Sequence, residues 1–221
     1  MSCTLDHVVI TTSALSEGDA WVNATLGVGP GPGGAHEGMA THNHLMRLGE
    51  SVYLEVIAPD PLAPAPIRPR WFGMDDPVLL AQPRLATWVV RCSDIHAAQA
   101  RLSEAVGGVH PMQRGPWSWQ ITIPPDGQMG LQGLVPTLIQ WSDERHPTQT
   151  MPASGCELQA LVLRHPDGPR VARMLASLDL QGQVPVRVVP GEHPALEAHL
   201  QTPQGAVVLS GQWPLGLTPA G

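Results

Sequence analysis

The stretches Leu5-Asp6-His7-Val8-Val9-Ile10 and Val52-Tyr53-Leu54-Glu55-Val56-Ile57 decide how this chain reads. Each is a short apolar run rich in β-branched residues, the pattern of a buried strand. Each also carries one group that a buried strand tolerates only with a partner, an imidazole at His7 and a carboxylate at Glu55. An unpartnered buried polar group costs about 1–3 kcal/mol. The two residues therefore predict a partner: each other, a polar ligand or a divalent metal.

Working outward, the first strand, residues 5–12, leads into a helix expected from Ser16 to Leu26. Ser16 is read as its N-cap and Gly27 as its stop. A glycine-rich turn over residues 27–34 precedes a strand near residues 41–48, and Gly49-Glu50 turns the chain into the Glu55 strand. The same sentence recurs twice. Leu85–Arg91 opens a second unit, with a helix expected over Asp94–Val106 and strands at Trp117–Ile123 and Thr137–Trp141. Leu158–Leu163 opens a third, with a helix capped by Asp167 and strands near residues 184–189, 193–202 and 206–209. The fold class that follows is α+β: repeated βαβββ units forming curved mixed sheets around a cleft, helices outside. Residues 1–147 form the paired region and residues 156–221 an additional unit. The proline-rich segment 58–83 reads as an irregular excursion whose large apolar pair Trp71-Phe72 must dock somewhere, with a cleft as one candidate place. Residues 142–155 read as a polar connector.

Composition excludes several classes of function. The net charge is −7, and all 12 basic residues are arginine. No basic run offers a nucleic-acid surface, and the absence of lysine removes Schiff-base chemistry. The three cysteines, at 3, 92 and 156, fit neither a disulfide framework nor a CxxC zinc site, so a cytoplasmic protein is expected. No apolar stretch is long enough for a membrane span. The Gly27–Gly34 loop lacks a following helix and a Lys-Ser/Thr pair, so no nucleotide cofactor is expected.

In order and spacing, Leu5–Ile10, His36-Glu-Gly-Met-Ala-Thr-His-Asn43, Tyr53-Leu-Glu55, Pro136–Trp141 and His146-Pro147 resemble the glyoxalase-like domain family. That family lies within the vicinal oxygen chelate superfamily, which also holds bleomycin-resistance proteins and extradiol dioxygenases. The resemblance covers about residues 4–147. It implies a cleft to which each paired unit gives a metal ligand from its first and last strands. On that scheme the first unit supplies His7 and Glu55. The counterparts in the second are Thr87 and Gln140, weak ligands for the metals that imidazole and carboxylate hold. A third imidazole could complete the set. In a regular strand His42 and His44 share one face and Asn43 takes the other. The family pattern favours His36 and Asn43 in the cleft, whereas a triad of two histidines and one carboxylate favours His44.

Two functions follow. In the first, a divalent metal of open identity, held by His7, Glu55 and His44, serves a lyase, isomerase or dioxygenase acting on a small oxygenated substrate, with Glu55 as general base. In the second, the cleft binds a small molecule without metal, as resistance-type members do. Its polar groups are then His7, His36, Asn43, Glu55 and Gln140, and tryptophans including Trp119 line it. His110, His146, His165, His193 and His199 are read as surface residues. A monomer or homodimer is expected.

Overall fold

The computed structural model describes residues 2–213. The last eight residues of the expected unit 156–221 lie outside that range. The first unit comprises β1 (Cys3–Thr11), α1 (Leu15–Leu26), β2 (Gly31–His36), β3 (Thr41–Arg47) and β4 (Tyr53–Pro59). The second comprises β5 (Arg84–Cys92), α2 (Ile95–Arg101), β6 (Gly108–Arg114), β7 (Trp117–Ile123) and β8 (Thr137–Trp141). Together they build one mixed sheet in the order β2-β3-β4-β1-β5-β8-β7-β6. Within each unit the first strand runs parallel to the last, and β1 joins the units by pairing antiparallel with β5.

Four local expectations change. α1 begins at Leu15 with Ala14 at its N-cap, so Ser16 lies inside the helix. The glycine-rich stretch is a turn only at its start, because Gly31–His36 continues as an edge strand on β3. α2 ends at Arg101, well short of Val106, and β6 occupies residues with no strand expectation. Of the two cap candidates the sequence leaves open at this end, Ser93 and Asp94, it is Asp94 that caps α2, its side chain accepting from Ala97 N at 3.0 Å.

The third unit comprises β9 (Glu157–His165), α3 (Gly168–Leu178), β10 (Leu180–Gln181), β11 (Val186–Pro190), β12 (Ala195–Thr202) and β13 (Gly205–Gln212). Four of its strands form a separate sheet, β11-β9-β12-β13, while β10 crosses to pair with β1. This sheet packs on the outer face of the first. One apolar core joins Val8, Ile10, Trp88 and Val90 of the large sheet to Val22 and Leu26 of α1 and to Leu161 and Leu196 of the third unit. A second core, with Val9, Ile57, Val89, Ile121 and Ile139, fills the inner face. The period-2 alternation of β1 and β5 thus divides two cores, which is why Val8-Val9-Ile10 and Trp88-Val89-Val90 are apolar on both faces. No helix among the described residues is long and apolar enough to cross a membrane.

The two sheets touch where glycine allows it. A Cβ on Gly211 of β13 would lie 1.6 Å from the carbonyl oxygen of Leu85 on β5, whereas a Cβ on Gly38 would meet nothing within 4 Å. Gly211→Ala is expected to lower unfolding free energy by about 1–3 kcal/mol, the cost of overpacking a tight contact. Gly38→Ala should fall within about 0.5 kcal/mol of wild type, as surface changes do. Urea denaturation of both variants checks this.

Candidate functional site

The site begins with a bulge. The pairing of β1 with β5 runs Leu5↔Val90 and then His7↔Val89, leaving Asp6 as an extra residue without an opposite. A bulge re-aims side chains, and here Asp6 joins the same polar cluster as His7. The Asp6 carboxylate is fully buried and takes donors from three segments. Its Oδ1 accepts from His7 Nδ1 at 2.7 Å, and its Oδ2 accepts from Trp141 Nε1 at 3.0 Å and His146 Nε2 at 3.1 Å. Arg91 Nη1 lies 3.8 Å away. Burial alone would push this carboxyl up, but the hydrogen bonds from His146 and His7 outweigh it and hold it far below the usual carboxylate range.

His7 is consequently fixed in orientation. It stacks on Tyr53, with ring centroids 4.4 Å apart, and turns Nε2 toward Glu55 Oε2 at 3.5 Å. Burial opposes its charge, yet hydrogen bonds to Asp6 and Glu55 raise its pKa to about 9. Glu55 shows the mirror effect: burial pushes it up, and His7, helped by Asn43, brings it down to about 2. At neutral pH the two form an imidazolium–carboxylate pair.

Asn43 continues the polar strip. Its Nδ2 donates to Glu55 Oε1, and its Oδ1 accepts from Gly34 N and Arg114 Nη1, both at 2.9 Å. Gly33 is required beside it, since a Cβ there would lie 2.1 Å from Asn43 Oδ1. His36 Nε2 sits 3.4 Å from Arg114 Nη1, and burial lowers the pKa of its ring to about 4, so it faces that guanidinium as a neutral acceptor. β6 carries Arg114 at the far end of the sheet from β2. The sheet therefore curls until its two ends meet, and Arg114 crosses the mouth of the resulting cleft.

The other half of the cleft is apolar: Trp119, Ile121, Ile139 and Trp141 come from the second unit. Trp71 and Phe72 of the proline-rich excursion close the cleft, stacked on each other at 5.5 Å. Phe72 (φ 59°) and Gly73 (φ 65°) form a left-handed turn that Gly73 N anchors to Gly127 O at 2.9 Å. The enclosed space is narrow, about 30 Å³, room for roughly one or two waters.

The structure therefore brings His7, His36, Asn43, Glu55 and Trp119 to one cleft. Two expected site residues lie elsewhere. Gln140 points to the opposite face of β8, where its Oε1 accepts from Ile95 N at the start of α2 at 2.8 Å. His44 points toward α1 and pairs with Asp19 Oδ2 at 2.7 Å, because the neighbouring Asn43 takes the inner face. Thr87 donates to Gly133 O at 3.0 Å and does not line this cleft. His146 and His165, read as surface residues, are buried. Asp6, Arg114 and His146 are the site residues that sequence reasoning missed. Asp6 is visible as a carboxylate inside an apolar run, but strand alternation gave no reason to place it with His7.

A metal centre can be tested on this donor set. His7, with its far nitrogen on a carboxylate, has the outer-shell partner of a metal-bound histidine. Only Glu55 stands beside it, however. The cleft-facing positions of β8 carry Ile139 and Trp141, and the further charged group lining the cleft is the Arg114 cation. No group of three His, Cys, Asp or Glu side chains among the described residues is arranged to hold a metal ion. The residues do not fit a resident metal.

Paired βαβββ units in one curled sheet, with a polar strip on its inner face, define the vicinal oxygen chelate class. A family model described as "Glyoxalase-like domain" matches residues 5–178, and the chain belongs to that family. No curated protein matches it. Among solved structures, it is similar to a Streptomyces coelicolor methylmalonyl-CoA epimerase variant in complex with 2-nitronate-propionyl-CoA. The identity is 16% and the TM-score 0.43, over 66% of this chain and 100% of that one. It is also similar to the Mn(II)-bound glyoxalase from Novosphingobium aromaticivorans, at 10% identity and TM-score 0.47, over 95% of this chain and 81% of that one. These likenesses are remote.

Proposed function

We propose that this glyoxalase-like protein binds a small oxygenated molecule in the cleft and holds it with side chains alone, without a resident metal. The observation that carries this reading is the division of the cleft: one wall is a hydrogen-bonded strip of His7, Glu55, Asn43 and Arg114, the other is aromatic and aliphatic. Such a cleft orients a ligand by a few polar contacts and binds it by apolar burial. Within the strip, Glu55 is the group able to take a proton and the His7 imidazolium the group able to give one. His36 and Asn43 keep Arg114 aligned. Its three cysteines are free and buried, with Cys3 Sγ 3.0 Å from Cys92 Sγ, and a reducing compartment such as the cytoplasm would keep that pair as thiols.

The second reading, a metal-dependent lyase, isomerase or dioxygenase, is favoured by one feature, the Asp6–His7 hydrogen bond. A thermal-shift screen separates the two. Stabilisation by aromatic or amphiphilic compounds that persists in EDTA is expected. Stabilisation by manganese, nickel or zinc with none by organic compounds would overturn the metal-free reading.

A further inference from the structure

Cys3 is the first residue of β1 and Cys92 the last of β5, and the two stand directly opposite each other where those strands pair antiparallel. Their sulfurs are 3.0 Å apart, although both are free thiols. The backbone explains the closeness. Ser93 N donates to Ser2 O at 3.4 Å, so the pair just beyond the cysteines is a hydrogen-bonded one. In an antiparallel ladder the two kinds of pair alternate. The non-hydrogen-bonded kind, to which Cys3 and Cys92 then belong, sets its Cα atoms about 4.5 Å apart and its side chains closest. That separation lies within the range of about 4.4–6.8 Å that a disulfide spans. The ladder thus holds the two cysteines where a bond between them needs little backbone movement.

Charge and access suit the pair to oxidation as well as to packing. One thiol donates a hydrogen bond to the other sulfur. That bond, with the Arg101 cation near it, lowers the pKa of Cys3 to about 7 against the opposing effects of burial and Asp179. The thiolate is the form that attacks an oxidant. Both side chains are buried, but Cys92 lines an open depression of about 360 Å³ together with Ser2, Arg91 and Ser93. A small oxidant can enter there, at the end of the ladder. Burial raises the pKa of the remaining thiol, Cys156.

We infer that Cys3 and Cys92 form a reversible oxidation site, which a hydroperoxide converts to a disulfide across the β1–β5 seam. The Cys3 thiolate attacks the O–O bond and becomes a sulfenic acid, and the departing oxygen takes up a proton to leave as an alcohol, or as water from hydrogen peroxide. The Cys92 thiol then attacks the sulfenic sulfur. The S–S bond forms, and the hydroxyl leaves as water with the thiol proton. Two thiols and one hydroperoxide thus give one disulfide, one alcohol and one water, and a dithiol reductant reverses the change by exchange. The β1–β5 ladder is the one that joins the paired units, and it carries the bulge at Asp6 three residues further on. A bond at its end closes a loop over residues 3–92 and fastens the first unit to the start of the second, which stabilises the fold by restricting the unfolded chain.

Hydrogen peroxide treatment of the folded wild-type protein tests the assignment, with the remaining thiols alkylated in denaturant and the peptides mapped by mass. The expected product is one cross-linked peptide pair, Cys3 with Cys92, and an alkylated Cys156. Dithiothreitol should remove the cross-link, and the urea midpoint of the oxidised protein should lie above that of the reduced one. Cys156→Ala should keep both the cross-link and the shift, and Cys92→Ala should lose both. Three free thiols after treatment, Cys3 carried to sulfinic acid without a cross-link, or a cross-link that uses Cys156 would each overturn the inference on the wild-type protein alone.

Discussion

Replacing Asp6 with alanine is expected to lower the unfolding free energy by about 3–5 kcal/mol, the range for removing one partner of a buried charge network. The carboxylate is fully buried and is the shared acceptor of His7, Trp141 and His146. These three belong to β1, to β8 and to the segment after β8, so Asp6 ties the two halves of the curled sheet together behind the cleft. Without it, three buried N–H groups lose their acceptor at once, and His7 keeps only Glu55. Asp6→Asn keeps the volume and one acceptor oxygen but turns an amide N–H toward donors, and should fall between alanine and wild type. Urea denaturation measures both. Full stability of Asp6→Ala would show that the network contributes nothing to folding.

Glu55→Gln is expected to have an effect of similar size, and its pH dependence is the more informative part. The pKa of His7 is raised to about 9 from an ordinary value near 6.5, so its stabilising contribution is complete below about pH 6.5 and lost as pH rises through 9. The pKa of Glu55 is lowered to about 2, so its contribution is present above about pH 4.5 and lost as pH falls toward 2. The pair is therefore worth most between those limits. The stability gap between wild type and Glu55→Gln should be widest near about pH 6 and should narrow toward pH 9 as His7 gives up its proton. Denaturation midpoints of both proteins across this range test it; a gap independent of pH would mean that His7 and Glu55 are not electrostatically paired.

The fold was largely legible because its signals are local and repeated. Apolar β-branched runs at residues 5–10, 52–57 and 85–91 are strands on any reading, and Gly27 ends α1 as its position suggests. β6 was missed for a physical reason: Val109-His110-Pro111-Met112-Gln113 sits at a sheet edge, where no strict alternation or β-branched run is required and a proline is tolerated. With the strand went Arg114. The site was legible in part. His7 and Glu55 stand out as polar groups in apolar runs; alternation sets Asn43 on the face opposite His42 and His44, and only the family pattern pointed to Asn43 as the inward one. Alternation also explains the two misplaced residues, since a one-residue shift exchanges the faces of a strand. Alignment to the first unit pointed to Gln140, whereas the register of β8 puts Ile139 and Trp141 inward. His44 falls outward once Asn43 is inward. Asp6 was hidden by the same rule in reverse, because a regular strand would aim it away from His7 and only the bulge brings it back. His146 could not be placed, since its partner is more than a hundred residues away in sequence.

On the proposed reading, this cleft engages its ligand through the His7–Glu55–Asn43–Arg114 strip and not through a bound metal. Calorimetric titration of chelator-washed wild-type protein with Mn(II) and with Zn(II), each repeated on Glu55→Gln, tests it most directly. The expected result is weak, non-stoichiometric heat that is the same in both proteins. Saturable binding of one metal equivalent by the wild type, lost in Glu55→Gln, would contradict it.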